Sequence, residues 1–227
     1  MNPQDQKLLD HLSQFVSDHK KNFVEKVLAA RTRYVTVVLE DIFQSQNASA
    51  VLRTSECMGL QDIHIVENTA KYHLNVRVLK GADKWLTLHR YRSQGVNNTE
   101  VCYQRLKRQG YKILLADPAA DGTPINEINV DESKIALVFG NELRGVSEYA
   151  LECCDAKIRV PMYGFTESLN VSVSVAICLN TILQKLRFSQ PDIGLLAQEK
   201  DHIRLEWFKK IVRRSDILEK EFLKTIA

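Results

Sequence analysis

Three groups of polar residues have the types and spacing to do chemistry. Asn47 and Arg53 lie six residues apart at the opening of a helical pattern. Phe139-Gly140-Asn141-Glu142-Leu143-Arg144-Gly145-Val146 runs from an apolar strand into a loop bracketed by glycines. Val160-Pro161-Met162-Tyr163-Gly164, followed by Ser168-Leu169-Asn170, leaves a strand and enters a long apolar helix. Each group alone has an ordinary structural reading: a helix cap for Asn47, a solvated cation for Arg53, an exposed loop acid for Glu142. All three follow strands, and an open parallel sheet binds ligands beyond the carboxyl ends of its strands. Together they predict one polar site holding a cation, a carboxylate, two amides and a hydroxyl. Such groups orient a ligand and stabilise developing charge.

Other chemistries lack their signatures. None of the nine glycines forms a Gly-x-Gly, so the dinucleotide fingerprint is missing. There is no phosphate loop of the Gly-x-x-x-x-Gly-Lys type and no Gly-x-Ser-x-Gly elbow. The five cysteines, Cys57, Cys102, Cys153, Cys154 and Cys178, are irregularly spaced and suggest neither a disulfide framework nor a zinc site. Cys57 and Cys178 sit in apolar helical patterns and read as buried small hydrophobes. The acid pairs Glu40-Asp41 and Asp131-Glu132 read as turns without partners.

The elements that must position the site alternate between strand and helix. Tyr34 to Leu39 is rich in β-branched residues and predicts a buried strand. A helix capped by Asn47 and ended by Gly59 follows, then a strand from Asp62 to Val66. A helix that long between two strands implies a crossover and a parallel sheet. Further along come a weak helix (71–80), a strand (85–91), a helix (99–108) and strong strands at 111–116 and 135–139. A short helix capped by Ser147, a strand at 156–160 and a helix from Leu169 to Leu186 complete the pattern. Residues 4–30 read as one helix. After Arg187 the chain breaks at 189–194, around Pro191, before two more helices. The class is α/β with a mostly parallel sheet, flanked by N- and C-terminal helices.

Bulk composition is that of a globular protein: 227 residues, 44% hydrophobic, 26% charged and a net charge of +3. No apolar run approaches the ~18 residues of a membrane span. Met1 to Gln6 is polar and unlike a secretory signal. A cytoplasmic location without membrane contact is expected. Basic residues gather at Lys20, Lys21, Arg31 and Arg33, and again at Lys209, Lys210, Arg213 and Arg214. Each cluster reads first as a solvated helix face, the usual fate of such charges, and only weakly as a surface for an anionic partner.

At the three polar groups the chain resembles the SpoU (TrmH) branch of the SPOUT RNA 2′-O-methyltransferases. The family's Asn followed six residues later by Arg-Thr matches Asn47 to Thr54. Its second motif matches Leu137 to Ser147, and its third matches Val160 to Gly164 with Ser168 to Val173. The resemblance spans about residues 34–187. Val160 stands where the family often has Ile, and Asn141 where Gln is common, and neither change alters charge.

The resemblance implies a methyltransferase domain over 34–187, with helical extensions at 1–33 and 188–227. It implies a deep C-terminal trefoil knot and an obligate homodimer with each site near the interface. S-adenosylmethionine would be bound, without a metal, beside Ala116, Gly140, Val160, Met162 and Leu169. The implied reaction is methyl transfer to a ribose 2′-hydroxyl. Arg53 would act either as a base with a perturbed pKa or as a cation stabilising alkoxide and phosphate. Asn47 and Asn170 would position Arg53 and the ribose, Glu142 would hold the motif loops, and Ser168 would support them. The short flanking helices resemble the type that methylates a D-loop guanosine of tRNA. Ribosomal RNA as substrate, or a non-catalytic RNA-binding role, are the alternatives. The eight terminal basic residues named above would then track RNA phosphates.

Overall fold

The computed structural model describes residues 1–118, 121–130, 132–189 and 192–226. The predicted break around Pro191 and the acid Asp131 fall outside these residues.

Seven strands build one sheet: Val35–Glu40 (β1), Asp62–Val66 (β2), Thr87–Tyr91 (β3), Tyr111–Ala116 (β4), Thr123–Pro124 (β5), Lys134–Phe139 (β6) and Ala156–Arg159 (β7). Their order is β3-β2-β1-β6-β4-β7-β5, with every pairing parallel. All carboxyl ends therefore emerge on one edge, where loops can share a site. Nine α-helices occur among the described residues: Pro3–Ser13 (α1), Asp18–Ala30 (α2), Ser45–Cys57 (α3), Val76–Leu79 (α4), Asn98–Arg108 (α5), Glu148–Cys153 (α6), Val171–Ser189 (α7), Ala197–Ile211 (α8) and Ser215–Ile226 (α9).

Alternation along the strands divides the core between the two faces of the sheet. Val35, Val37 and Leu39 of β1 join Ile135, Leu137 and Phe139 of β6 and the buried sides of α3 and α7. Val38 of β1 and Ala136 and Val138 of β6 point the other way, onto Cys102, Tyr103 and Leu106 of α5 and Ala150 of α6. The central strands β1, β4 and β6 are buried on both faces, which is why they read as mostly apolar runs.

The chain forms two compact units, residues 32–193 with the sheet, and residues 1–31 with 194–227. In the second unit α1 packs on α8 and α9, and His11 stacks on Phe222 at 4.3 Å. The single helix expected over 4–30 is two helices. Ser17 takes an extended backbone (φ −63°, ψ 151°) as the cap of α2, which interrupts the helical path. The weak helix expected over 71–80 shrinks to α4, because the Asn75 side chain caps it at one end and Lys80 turns left-handed (φ 52°) at the other.

Several polar residues depart from expectation. Arg31 is 1% exposed, with its guanidinium 5.3 Å from the centre of the Trp207 ring, so it is not part of a solvated flank. A buried cation needs such compensation. Lys209 pairs with Glu219 at 2.9 Å, Lys21 with Asp18 at 3.4 Å, and Arg33 with Asp62 at 2.7 Å. Lys20, Lys210, Arg213 and Arg214 are exposed. Cys57 is exposed at the end of α3, whereas Cys178 is buried as expected. Among the described residues α7 is long and apolar enough to cross a membrane by length and composition, although no unbroken apolar run is. Val175, Cys178, Leu179, Ile182, Leu183 and Leu186 of this helix are buried in the protein core.

A polar cluster is built into β2 and β3. Asp62 accepts from Arg33 Nε and meets His89 Nε2 at 3.0 Å. His64 Nδ1 lies 2.8 Å from the Tyr91 hydroxyl, and its ring stacks on His89 at 4.6 Å. Burial, reinforced by His89 and Arg105 and opposed by Asp62, pushes His64 down to about 3. Burial raises the Asp62 carboxyl, but the His89 hydrogen bond and the Arg33 charge outweigh it and leave it below its ordinary value.

Candidate active site

The site begins with the loop that leaves β1. Asp41 turns left-handed (φ 50°), and α3 starts four residues later at Ser45. Asn47 is therefore the third residue of the helix and not its cap. Its side chain is released from capping and reaches across the sheet edge. Asn47 Nδ2 donates to Glu142 Oε1 at 2.7 Å, and Asn170 Nδ2 donates to Asn47 Oδ1 at 3.1 Å. Residues from all three motifs, 95 and 123 positions apart along the chain, thus share one hydrogen-bonded chain.

Each member is fixed by its own loop. Glu142 Oε2 accepts the Phe43 N–H at 3.1 Å. Asn141 and Gly145 pair backbone to backbone at 2.8 and 2.9 Å, and Asn141 Oδ1 accepts the N–H groups of Leu143 and Arg144. This closes the loop that carries Glu142. Gly140 is required there: a Cβ would lie 2.5 Å from the Gly145 carbonyl oxygen. Asn170 Oδ1 accepts the N–H and hydroxyl of Ser172 at 2.9 and 2.7 Å and so sets the start of α7 at Val171, not Leu169.

These loops enclose a cavity of about 580 Å³ at the carboxyl edge of β4, β6 and β7. Asn47, Glu142, Ser168 and Asn170 line it, as do Ala116, Gly140, Val160, Met162 and Leu169. Arg53 does not line it. It lies six residues beyond Asn47 on α3, between one and two turns and about 9 Å further along the axis. Arg53 is exposed and, among the described residues, its side chain has no hydrogen bond or ion pair. The lining is charge-balanced, with two acids, Asp117 and Glu142, and two cations, Arg144 and Arg159. No group of three or more His, Cys, Asp or Glu that could hold a metal ion occurs among the described residues.

The SpoU rRNA Methylase family model matches residues 34–180. The chain belongs to the SpoU rRNA methylase family. A SpoU relative named tRNA (guanosine(18)-2′-O)-methyltransferase, from Borreliella burgdorferi, is 41% identical over 208 residues, covering 92% of this chain and 93% of its own. One of the same name from Thermus thermophilus is 31% identical over 163 residues, covering 72% and 81%. The crystal structure of the A. aeolicus TrmH/SpoU tRNA modifying enzyme superposes with a TM-score of 0.74 at 26% identity, covering 87% of this chain and 98% of that one.

Two acids of this SpoU chain escaped sequence reasoning. Glu40 is no turn residue. It is 2% exposed at the end of β1 and accepts from the Ser147 N–H (2.9 Å), the Ser147 hydroxyl (2.7 Å) and the Thr99 hydroxyl. It ties the helix that follows the second motif to the central strand. Asp41 accepts the N–H groups of Asn68, Thr69 and Ala70, and its own carbonyl accepts Asn141 Nδ2 at 2.7 Å. The signal available in the sequence was their place at the carboxyl end of a confident strand.

Proposed function

We propose that this protein transfers a methyl group from S-adenosylmethionine to the ribose 2′-hydroxyl of a D-loop guanosine, guanosine 18, in tRNA. The observation that carries this reading is the 41% identity, over nearly the full length of both chains, to a relative named for that reaction. The cavity fits the methyl donor. Its volume of about 580 Å³ falls in the range of small-molecule sites. Apolar Met162, Leu169 and Val160 would meet the flat and aliphatic parts, and Asp117, Glu142, Arg144 and Arg159 supply both signs of charge for its amino-acid end. When bound, this donor supplies a methyl group on a sulfonium that leaves as a neutral thioether.

The remaining roles belong to the chain's own residues. Asn47, Glu142 and Asn170 lock the three loops together, so the cavity wall keeps its shape while substrate enters. Ser168 and Asn170 sit at the mouth, where they can orient the ribose. Arg53 would stabilise the developing alkoxide as the hydroxyl proton passes to a substrate phosphate oxygen or water, while the ribose oxygen bonds to the methyl carbon and the methyl–sulfur bond breaks. Guanidinium groups keep their proton in proteins, which favours this role over that of a base.

An unpartnered Arg53 outside the cavity suits a homodimer, in which each site is completed near the interface. The return of the chain from β7 to α7 suits a trefoil knot: α7 packs against both α3 and the segment before Ile128, whose carbonyl accepts from Lys185 Nζ at 2.8 Å. Residues 34–187 would be the methyltransferase domain. The extensions 1–33 and 188–227 would hold tRNA through Lys20, Lys21, Lys210, Arg213 and Arg214, in the cytoplasm.

The test uses labelled S-adenosylmethionine with purified tRNA and ribosomal RNA, followed by mapping of the modified ribose. Label at guanosine 18 of tRNA is expected. Label on ribosomal RNA alone would refute the assignment. Arg53→Ala should abolish transfer while leaving donor affinity nearly intact, and full turnover by that variant would remove Arg53 from the mechanism.

A further inference from the structure

The net charge of +3 hides an uneven distribution. Residues 67–95 carry six Lys or Arg (Lys71, Arg77, Lys80, Lys84, Arg90, Arg92) against Glu67 and Asp83, an excess of four positive charges. The rest of the chain together is therefore slightly acidic. The fold folds this segment back on itself. It leaves β2, forms α4, returns as β3 and passes into the loop before α5.

The two ends of the segment flank a second cleft of about 650 Å³, beyond the carboxyl ends of β2 and β3. Lys71, His73, Arg90 and Arg92 line it, and Glu67 is the one acid among the described lining residues. Glu67 is already engaged: Arg90 donates to it three times, at 2.8 to 3.1 Å. Lys71, His73 and Arg92 are exposed and, among the described residues, have no hydrogen bond or ion pair of their side chains. The first cavity is charge-balanced, whereas this cleft is cationic, with Lys71 and Arg92 available to an outside anion.

The sheet sets the spacing between the two. Every strand is parallel, so both clefts open on the same edge. At about 4.8 Å per strand, the β3–β2 ends lie about 14 Å from the β6–β4 ends, a distance spanned by a few nucleotides of one RNA strand. Asp41 holds the two in fixed relation. Its carboxylate takes three N–H groups of the 68–70 loop at 2.8 to 3.1 Å, and its carbonyl takes Asn141 beside Glu142 at 2.7 Å.

We propose that this second cleft grips phosphodiester groups of the RNA a few nucleotides from the methylated ribose. Lys71 and Arg92 make the direct contacts, and Arg90 is held in the wall by Glu67. This rests on the assignment of RNA as substrate, and it places phosphate contacts on a segment other than the terminal helices.

The double variant Lys71→Glu with Arg92→Glu tests it, measured with the full chain and an unmodified tRNA transcript from 50 to 200 mM salt. Its affinity for tRNA should fall about tenfold or more, and the slope of log affinity against log salt should shrink by about 2. S-adenosylmethionine affinity and melting temperature should not change. Lys112→Glu, at the opposite edge of the sheet in β4, should leave tRNA affinity as it is. Unchanged affinity and slope in the double variant, or an equal loss in Lys112→Glu, would overturn the cleft while leaving the methyltransferase assignment standing. A wild-type chain that methylates no tRNA would overturn both.

Discussion

Asn47→Ala is the sharpest probe of the site's construction. Asn47 is 7% exposed and takes part in three side-chain hydrogen bonds: to Glu142 at 2.7 Å, to Gln44 at 3.1 Å and from Asn170 at 3.1 Å. A hydrogen bond to a charged group contributes about 1.5–3 kcal/mol and a neutral one about 1 kcal/mol. Glu142 is half-buried and Asn170 is exposed, so water replaces part of what the truncation removes. The expected net loss is about 2 kcal/mol, or a fall in melting temperature of about 4–8 °C for a chain of this size. Urea unfolding of Asn47→Ala, Glu142→Ala and the double variant forms a cycle. A coupling of about 1–2 kcal/mol between the two sites is expected. Donor affinity should fall in each single variant and fall little further in the double. Additivity within about 0.3 kcal/mol would mean that the 2.7 Å contact does no structural work, and the account of the site as one linked chain would fail.

Three further outcomes follow from the geometry. Gly140→Ala forces a Cβ to within 2.5 Å of a backbone carbonyl that cannot step aside, so stability should drop by about 2 kcal/mol and donor binding should weaken, read by calorimetry. Glu40→Gln turns an acceptor of the Ser147 N–H into a group with donors of its own, and should cost about 2–3 kcal/mol in urea unfolding. His64 is neutral when folded, with its pKa depressed from 6.5 to about 3, so unfolding takes up a proton below pH 6.5. Its contribution is whole above that pH and is lost as pH falls toward 3; at pH 5 the loss is about 2 kcal/mol, and His64→Gln should flatten the dependence of melting temperature on pH between 7 and 5.

The fold was legible where the chain is apolar. β1, β4 and β6 are buried on both faces, and their mostly apolar runs announce this. The site was legible where glycines and amides bracket strand ends: nine of the ten residues expected to catalyse or to hold the donor line one cavity. Its charges were harder to read. Glu40 and Asp41 look like a turn because their partners, such as Ser147 and Asn141, lie about a hundred residues on. Arg31 looks solvated because Trp207, which covers it, belongs to the far end of the chain. The cations of 67–95 escape notice because they are spaced singly, and only the return of the chain through β3 gathers them. Burial is a property of the folded neighbourhood, and a single sequence does not carry it for a charged side chain.

The chain linking Asn47 to Glu142 and Asn170 also bears on how the protein is made. On the ribosome the first of these residues emerges well before the last, and the nascent chain cannot close the pocket until α7 has been synthesised. Contacts this distant along the polymer form late and slowly. A fragment stopped short of Asn170 would carry a sheet but not the closed cavity, so the proposed donor site arrives all at once, with the final quarter of synthesis.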